Sequence, residues 1–304
     1  MKKVVVTGAS GFIGKHCLST LQKKGFDVYG IYTKSLPENN LSIHWYQANL
    51  LDISQIQGLI AEIKPTHLLH LAWYAVPRKY WQASENFLWV QFSLELLRQF
   101  TLNGGQRVVI AGTCAEYDWN YGYCSEMITP RKSNTPYGIC KQSLQEMVKA
   151  YANINNLSSA WGSIFFPYGP HEYHERLVPS VINSLLQGKP ALCSHGKQIR
   201  DFIYVQDVAD AFVALLESNV TGVVNIGSGI PITIKEIVYK IATIFDKIEL
   251  LQLGAVPTII NEPPLLVADI TRLSNEVGYL PQYDLDQGLE DTINWWKNYR
   301  LKNN

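Results

Sequence analysis

A short apolar run followed by three evenly spaced glycines constrains the fold of this chain more than any other feature. Residues 3–7 are mostly valine, and Gly8, Gly11 and Gly14 follow at three-residue intervals. β-Branched runs favour strands, and the pattern after the glycines predicts a helix over residues 12–24. Glycines at such a junction permit a tight turn and let a pyrophosphate approach the helix N-terminus. An ordinary glycine turn is the alternative, since the spacing is not Gly-x-Gly-x-x-Gly.

The first 165 residues alternate apolar runs with helical patterns. We predict further strands at 27–32, 43–47, 67–71, 106–111 and 158–164, and further helices at 53–63, 83–103 and 136–154. This alternation predicts an α/β fold of the Rossmann type, a doubly wound parallel sheet with helices on both faces. Ligands of such sheets bind at the carboxyl ends of the strands.

The composition of the sequence and the length of its predicted elements change after about residue 165. Residues 166–174 are rich in proline, glycine and aromatic residues and predict a loop; the elements expected beyond them are a strand at 202–204 and helices at 177–187, 206–217, 233–245 and 286–300. We therefore expect a dinucleotide-binding domain over 1–165. Residues 166–304 would mainly form a smaller α/β substrate-binding lobe, with some elements returning to the first domain.

Composition excludes several classes of function. Of the 304 residues, 26 are Lys or Arg and 26 are Asp or Glu, so the net charge is zero and nothing favours nucleic acid or a membrane surface. No apolar run approaches the length of a membrane span. The five cysteines form no CxxC pair, which indicates free thiols, a cytoplasmic location and no metal site.

Tyr137 and Lys141 stand four residues apart in a predicted helix, and Thr113 ends a predicted strand. Residues four apart share one helix face. An ammonium near a phenol lowers the tyrosine pKa, so Tyr137 could exchange a proton with a substrate hydroxyl near neutral pH. Thr113 would bind the same oxygen. The spacing alone is common in helices, and it gains weight from the glycine turn.

The chain resembles the extended short-chain dehydrogenases/reductases that act on nucleotide-linked sugars, the NAD-dependent epimerase/dehydratase family. The resemblance rests on motifs in the family's order: TGASGFIG, LLHLAW, Asn86, YGICK, YGP, QIRDFIYVQDVADAF, VNIGSG and VADITRL. It implies catalytic roles for Thr113, Tyr137 and Lys141, with Lys141 also binding the nicotinamide ribose. It further implies that the cofactor is contacted by Gly8, Gly11, Phe12, Ile13, Gly14, Asn49, Leu50, Leu71, Ala72 and Trp73.

The end of the second predicted strand bears on the choice of cofactor. Family members that use NAD place an acidic residue there, whereas this chain has Tyr32, Thr33 and Lys34. Without a carboxylate, and with Lys34 and Lys15 nearby, NADP is favoured over NAD. Lys34 as a solvated loop charge is the alternative.

Two related reactions fit the sequence less well. Sugar 4,6-dehydratases follow the catalytic threonine with an acidic pair, but this chain has Cys114 and Ala115, and Glu116 comes one position late. Epimerase-reductases of the GDP-fucose synthase type carry a histidine acid after the Tyr-Gly-Pro motif. His174, or His171, could match it, although a loop histidine is the better explanation because the paired cysteine is out of register.

Substrate contacts implied by the resemblance are incomplete. Phe166 replaces an asparagine that binds the sugar-nucleotide diphosphate, and residues 260–263 lack a further arginine. Arg176 and Arg200 are the remaining candidates, because guanidinium groups suit diphosphates. An ion pair with Asp201 is the alternative for Arg200. The aromatic segment 117–123 predicts either a wall of the substrate site or core packing.

We expect an enzyme that reduces a keto group, at the 4 position, of a nucleotide-linked deoxysugar. A 4-epimerase with tightly held NAD is the first alternative, and a non-catalytic dinucleotide-binding or redox-sensing protein is a remote one. Residues 87–100 are more apolar than one buried helix face requires, so we also expect a homodimer.

Overall fold

The computed structural model describes residues 2–37, 42–258 and 262–303. Its first half alternates strands and helices: β1 (Lys2–Thr7), α1 (Phe12–Lys23), β2 (Phe26–Tyr32), β3 (His44–Gln47), α2 (Ile53–Ile63), β4 (His67–His70), α3 (Glu85–Leu102), β5 (Arg107–Thr113), β6 (Tyr123–Cys124), α4 (Pro136–Asn155) and β7 (Ser158–Ile164). The predicted strands and helices of this half are confirmed to within a few residues.

The second half contains shorter elements. In chain order they are β8 (Phe166–Tyr168), α5 (Leu177–Leu186), β9 (Ala191–Leu192), β10 (Ile199–Tyr204), α6 (Val205–Glu217), β11 (Gly222–Ile226), β12 (Pro231–Thr233), α7 (Ile234–Ile244), β13 (Leu251–Gln252), β14 (Leu265–Ala268), α8 (Thr271–Asn275) and α9 (Leu285–Asn303).

Seven parallel strands form the main sheet, in the order β11-β7-β5-β4-β1-β2-β3. Helices α1 and α6 cover one face, and α2, α3 and α4 cover the other, each burying aliphatic and aromatic side chains against the strands. The α/β Rossmann-type fold is therefore confirmed. The order reverses around β1, so a crevice opens at the carboxyl ends of β1, β4 and β5, where a doubly wound sheet binds its ligand.

A second sheet of five short strands lies beyond the crevice. Its order is β12-β10-β14-β6, with β8 paired to β10. Helices α5, α7 and α9 surround their own apolar cluster, which also receives the side chains of Phe12 and Ile13 from the start of α1. The glycine turn is thus joined to both halves of the chain.

Two predictions for the second half were wrong in detail. Phe166–Tyr168 form a strand rather than a loop, because they pair in parallel with Phe202–Tyr204. The strand predicted at 202–204 begins earlier, at Ile199. Its first part contains the buried charged residues Arg200 and Asp201, so it lacks the apolar pattern that predicts a strand. The pattern also gave no strand at 222–226, where β11 completes the main sheet.

Two buried carboxylates join separate segments of the chain to one another. Asp201 accepts hydrogen bonds from the backbone N–H groups of Ser228 (2.6 Å), Gly229 (3.0 Å) and Ala268 (3.0 Å), and from the Ser228 hydroxyl. Asp207 likewise accepts from the Tyr279 hydroxyl and two backbone N–H groups. Removing either carboxylate would leave several buried donors without acceptors, which is costly.

The glycine turn provides a stability prediction with an internal control. A Cβ at Gly14 would lie 2.1 Å from the Gly8 carbonyl oxygen, whereas one at Gly58, also inside a helix, would meet nothing within 4 Å. We expect Gly14→Ala to lower the free energy of unfolding by about 1–3 kcal/mol through overpacking. Gly58→Ala should raise it by about 0.5–1 kcal/mol through helix propensity. Urea denaturation measures both, and equal effects of the two substitutions would contradict the tight turn.

Candidate active site

The ends of β1 and β4 are held together closely enough to exclude a side chain at Gly8. Gly8 has φ +71°, and a Cβ there would lie 2.9 Å from the backbone nitrogen of Ala72. The Leu71 N–H donates to the Thr7 carbonyl at 3.2 Å, and the Ala72 N–H donates to the Thr7 hydroxyl at 3.3 Å. The glycine turn and the two residues after β4 therefore form one rigid edge of the crevice.

A buried polar chain lies behind this edge. The Thr7 hydroxyl is 2.6 Å from Nδ1 of His70, and Nε2 of His70 is 2.9 Å from the hydroxyl of Ser93, which donates to the Trp89 carbonyl. Burial, and secondarily the charge of Lys141, lowers the pKa of His70 to about 3, so the imidazole is neutral and bridges β1, β4 and α3. This role was not predicted from the sequence, although His70 lies in the LLHLAW motif.

The start of α1 faces the crevice with its backbone. The Gly11 N–H donates to the Gly8 carbonyl at 2.9 Å, and Gly11 occupies the N-cap, where it has no side chain to bind the first free N–H groups. Phe12 and Ile13 direct their side chains into the apolar cluster surrounded by α5, α7 and α9. This arrangement leaves the helix N-terminus open to an anion.

Two adjoining cavities flank the glycine turn. One, of about 430 Å³, is lined by Gly11 and Phe12 on one side, and by 171–174 and α9 on the other. The second, of about 340 Å³, is lined by Ser10, Lys15, Thr33, Lys34, Ser35 and Pro37. Thr33 and Lys34 are thus brought to the turn. Tyr32 instead packs edge-on against Trp45.

Two residues predicted to contact the cofactor, Asn49 and Leu50, interact with neighbouring residues of the chain. Asn49 accepts from the Leu51 N–H through its side-chain oxygen, and its backbone N–H donates to Gln55. Leu50 is buried in the apolar cluster under α2 and α3. Both residues follow β3.

Thr113, Tyr137 and Lys141 come together at the end of β5. Helix α4 begins at Pro136, capped by Thr135, whose hydroxyl accepts from the Gly138 N–H at 3.2 Å. Tyr137 in the first turn hydrogen-bonds the Thr113 side chain. One turn later, the buried Lys141 ammonium donates to the Ala111 carbonyl at 2.8 Å.

Burial dominates the electrostatics of this trio. Burial raises the pKa of Tyr137, and the hydrogen bond from Thr113 only partly offsets it. Burial also lowers the pKa of Lys141 to about 7, against the opposing effect of Glu116. The Lys141 ammonium is bound to the Ala111 carbonyl and desolvation dominates at the phenol, so the lowering of the tyrosine pKa by Lys141 stays a prediction.

Aromatic rings enclose Tyr137. Tyr80 and Trp81 meet its ring edge-on, with centroids 4.8 and 5.6 Å away, and Trp119 meets Trp81 at 6.1 Å. Segment 117–123 therefore divides: Trp119 joins this enclosure, whereas Tyr117 is core and donates to Asn225 at 2.7 Å. Neither Tyr80 nor Trp81 was identified from sequence, since they lie in the irregular stretch before α3.

The face of the Trp73 ring lies over the ammonium of Lys141. The Lys141 nitrogen is 3.7 Å from the centroid of the Trp73 ring. The indole N–H donates to the Asn86 side chain at 2.8 Å.

Glu116 is withdrawn from the crevice. Its fully buried carboxylate forms an ion pair with Arg131 at 2.6 Å and accepts from the Thr113 N–H and the Trp161 indole N–H. A carboxylate bound in this way stabilises the turn after β5, and it does not face a substrate beside Tyr137.

The substrate candidates occupy different places. The Arg176 guanidinium lies over the Tyr80 ring at 5.4 Å and hydrogen-bonds the Tyr80 side chain, so it is near Tyr137. Arg200 is buried, lies 5.4 Å from the Phe166 ring centroid and pairs with Glu262 at 2.8 Å. His174 lines the larger cavity beside the glycine turn and packs on Tyr173.

The alternative predicted for Arg200, an ion pair with Asp201, was wrong about the partner. Its ion pair is made with Glu262, because Asp201 is occupied by backbone N–H groups. Of the stretch 260–263, Ile260 and Asn261 lie outside the described residues.

Among the residues that the structure describes, no group of three or more His, Cys, Asp or Glu side chains has the arrangement of a metal site. None of the described helices is long and apolar enough to cross a membrane.

Comparison with known proteins identifies the family of this chain. The model of the NAD dependent epimerase/dehydratase family matches residues 4–227. CDP-abequose synthase of Salmonella typhimurium is 26% identical over 95% of this chain and 97% of its own length. UDP-glucuronate 4-epimerase 1 of Arabidopsis thaliana is 27% identical over 97% of this chain and 77% of its own length.

Among solved structures, MoeE5 in complex with UDP-glucose and NAD is 26% identical, with a TM-score of 0.86 over 98% of this chain and 99% of that one. The family model covers most of the chain, and the fold, the glycine turn and the tyrosine-lysine helix agree with it. This chain therefore belongs to the NAD dependent epimerase/dehydratase family, and it is an enzyme of the extended short-chain dehydrogenase/reductase type.

Proposed function

We propose that this enzyme reduces the 4-keto group of a nucleotide-linked 6-deoxyhexose with NADPH. The observation that carries the proposal is the meeting of Thr113, Tyr137 and Lys141 at the carboxyl end of β5, beside the glycine turn. The relatives named as CDP-abequose synthase and UDP-glucuronate 4-epimerase support a nucleotide-sugar substrate.

The residues around the glycine turn suit a dinucleotide. The open N-terminus of α1 would bind the diphosphate through the backbone of Gly11, Phe12 and Ile13, and Gly8 and Gly14 leave room for the turn. The adenine would lie near Asn49 and Leu50, and Leu71 and Ala72 would border the central part of the cofactor. When bound, the reduced cofactor supplies a hydride.

The remaining chemistry belongs to the chain. Reduction of a ketone requires a proton donor at the oxygen, and a buried Tyr137 with a raised pKa is kept protonated for that role. Thr113 would hold the same oxygen through its hydroxyl. Lys141, when charged, would favour the phenolate left after transfer and would bind the ribose hydroxyls.

Water elimination is a poor fit to this site. The positions after Thr113 carry Cys114 and Ala115, and the nearby carboxylate of Glu116 is engaged by Arg131 and Trp161. This observation supports a reductase over a 4,6-dehydratase.

Sugar binding would use both halves of the chain. Arg176 beside Tyr80 and the enclosure of Tyr80, Trp81 and Trp119 border Tyr137. Arg200 and Phe166 would bind farther along the crevice. We propose the division at about residue 165 on this basis, with cofactor contacts mainly before it and substrate contacts mainly after it. His174 borders the glycine turn and would serve binding rather than proton transfer.

A 4-epimerase is the second candidate, and the likeness to UDP-glucuronate 4-epimerase 1 favours it. An epimerase uses the same three residues in both directions and recycles tightly held NAD. Purified protein that releases NAD on denaturation would favour this candidate, whereas a reductase exchanges its cofactor.

The catalytic proposal predicts a selective loss in Tyr137→Phe. Without the phenol proton, turnover should fall by about 10²- to 10⁴-fold. The dissociation constant of NADPH should change little, because the ring remains. Turnover is measured by the consumption of NADPH with a panel of nucleotide-linked 4-keto-6-deoxyhexoses. The dissociation constant of NADPH is measured by fluorescence titration. Tyr151→Phe, on the same helix, is the matched control, and retained activity in Tyr137→Phe would refute the mechanism.

The cofactor proposal predicts that NADPH binds more tightly than NADH. The cavity lined by Lys15, Thr33, Lys34 and Ser35 offers positive charge to a 2′-phosphate. Lys34→Glu should weaken NADPH binding about tenfold, since an exposed ion pair contributes up to about 1 kcal/mol and the reversal adds repulsion. NADH binding should be unaffected. Lys23→Glu at the far end of α1 is the control, and equal affinities for the two cofactors in the native protein would contradict the assignment.

We also propose a homodimer through α3 and α4. Their outer faces expose Phe87 (61%), Leu88 (51%), Ile139 (47%) and Ile154 (81%), a concentration of apolar surface on two packed helices. The double substitution Phe87→Lys and Leu88→Lys should give a monomer in light scattering at micromolar concentration. Ile230→Lys, at an exposed apolar residue of the other half, should leave the dimer intact. A native protein that scatters as a monomer would overturn the proposal.

A further inference from the structure

Lys141 carries a charge in a place that disfavours it. Its side chain is 3% exposed, and its ammonium makes one hydrogen bond to a neutral group, the carbonyl of Ala111. Removing an ammonium from water favours the neutral amine, and here burial lowers the pKa of Lys141 to about 7. The cationic form therefore needs support from whatever else surrounds the nitrogen.

The face of Trp73 is the nearest such support. The Lys141 nitrogen lies 3.7 Å from the centroid of this ring, and 5.7 Å from the centroid of Trp161. The negative face of an indole attracts a cation most strongly when both are desolvated.

Trp73 is fixed in this orientation from its other side. Its indole N–H donates to the Asn86 side-chain oxygen at 2.8 Å. The amide nitrogen of Asn86 donates in turn to the carbonyls of Tyr80 (2.7 Å) and Ala83 (2.8 Å). The ring is therefore held over Lys141 by a fully buried amide that is itself bound to the backbone preceding α3.

The ionisable groups around Lys141 act in different directions. Glu116 raises the pKa of Lys141 through its charge, but that carboxylate is shared with Arg131. His70 is neutral, since burial lowers its pKa to about 3, and it adds no opposing charge near pH 7. Tyr137, one turn away, keeps its proton because burial raises its pKa. Besides the Ala111 carbonyl at 2.8 Å, the Trp73 ring face at 3.7 Å thus presents a negative potential to the nitrogen.

We propose that Trp73 is a positioning residue that keeps Lys141 protonated in its buried site through a cation–π contact held in register by Asn86. The consequence for catalysis rests on the proposed function: Lys141 must be cationic to favour the tyrosinate left after proton transfer. The contact itself exists without substrate, so it can be tested apart from turnover.

The test replaces Trp73 with mono-, di- and tetrafluorotryptophan by site-specific incorporation. Fluorine withdraws charge from the ring face while nearly preserving its size and its N–H group. The readout is the titration of the Lys141 ¹³Cε resonance in ¹³C-lysine-labelled, cofactor-free protein, assigned from Lys141→Arg. We expect the pKa of Lys141 to fall stepwise, by about one unit over the series, the size expected of a desolvated cation–π contact.

The same substitutions at Trp45, which packs on Tyr32 at the far edge of the sheet, are the control and should leave the pKa of Lys141 unchanged. A constant pKa across the Trp73 series, or an equal change in the Trp45 series, would overturn the proposal. These outcomes are independent of the reaction, because an inactive preparation still titrates. Failure of the proposed function would instead be seen as retained activity in Tyr137→Phe.

Discussion

The contact between the end of β1 and the end of β4 determines most of what the site can do. Gly8 lies against the backbone of Ala72 without room for a side chain. Thr7 ties the same two strands through its carbonyl and hydroxyl, and His70 extends the connection to α3. Because α1 starts four residues after Gly8, this contact also sets where its open N-terminus points. A doubly wound sheet brings strand ends together in general, but here the spacing is set by specific hydrogen bonds.

Several motif residues that resemble functional ones stabilise the fold instead. Asp201 and Asn225 lie in recognised motifs, yet Asp201 binds the backbone of one loop and of β14, and Asn225 donates to the carbonyls of Cys124 and Asp269. Glu116 follows the same pattern after Thr113. Each is a buried polar group satisfied by several partners, the condition under which such groups stabilise a fold rather than weaken it.

Local pattern was sufficient for six strands of the main sheet, but not for β11 or for the details of the crevice. Valine-rich strands and periodic helices identify the Rossmann half directly, and the trio of Thr113, Tyr137 and Lys141 was predicted from a strand end, the tyrosine-lysine spacing and the glycine turn together. By contrast, β8 exists because of pairing with β10, and Arg200 is buried through Glu262, 62 residues away. Tyr80 and Trp81 reach Tyr137 from an irregular segment. Such contacts depend on tertiary placement, which periodicity does not encode.

In the proposed proton-transfer site, burial has two opposite effects. Desolvation keeps Tyr137 protonated, as a donor to a carbonyl must be, but it also weakens the charge of Lys141. A site that is dry enough for the first requirement therefore works against the second. Aromatic groups resolve this conflict, since they exclude water as apolar groups do while presenting a negative face to a cation. Tyr80 and Trp81 around the phenol and Trp73 on the ammonium are consistent with one physical solution, in which the same class of side chain dries the site and retains its charge.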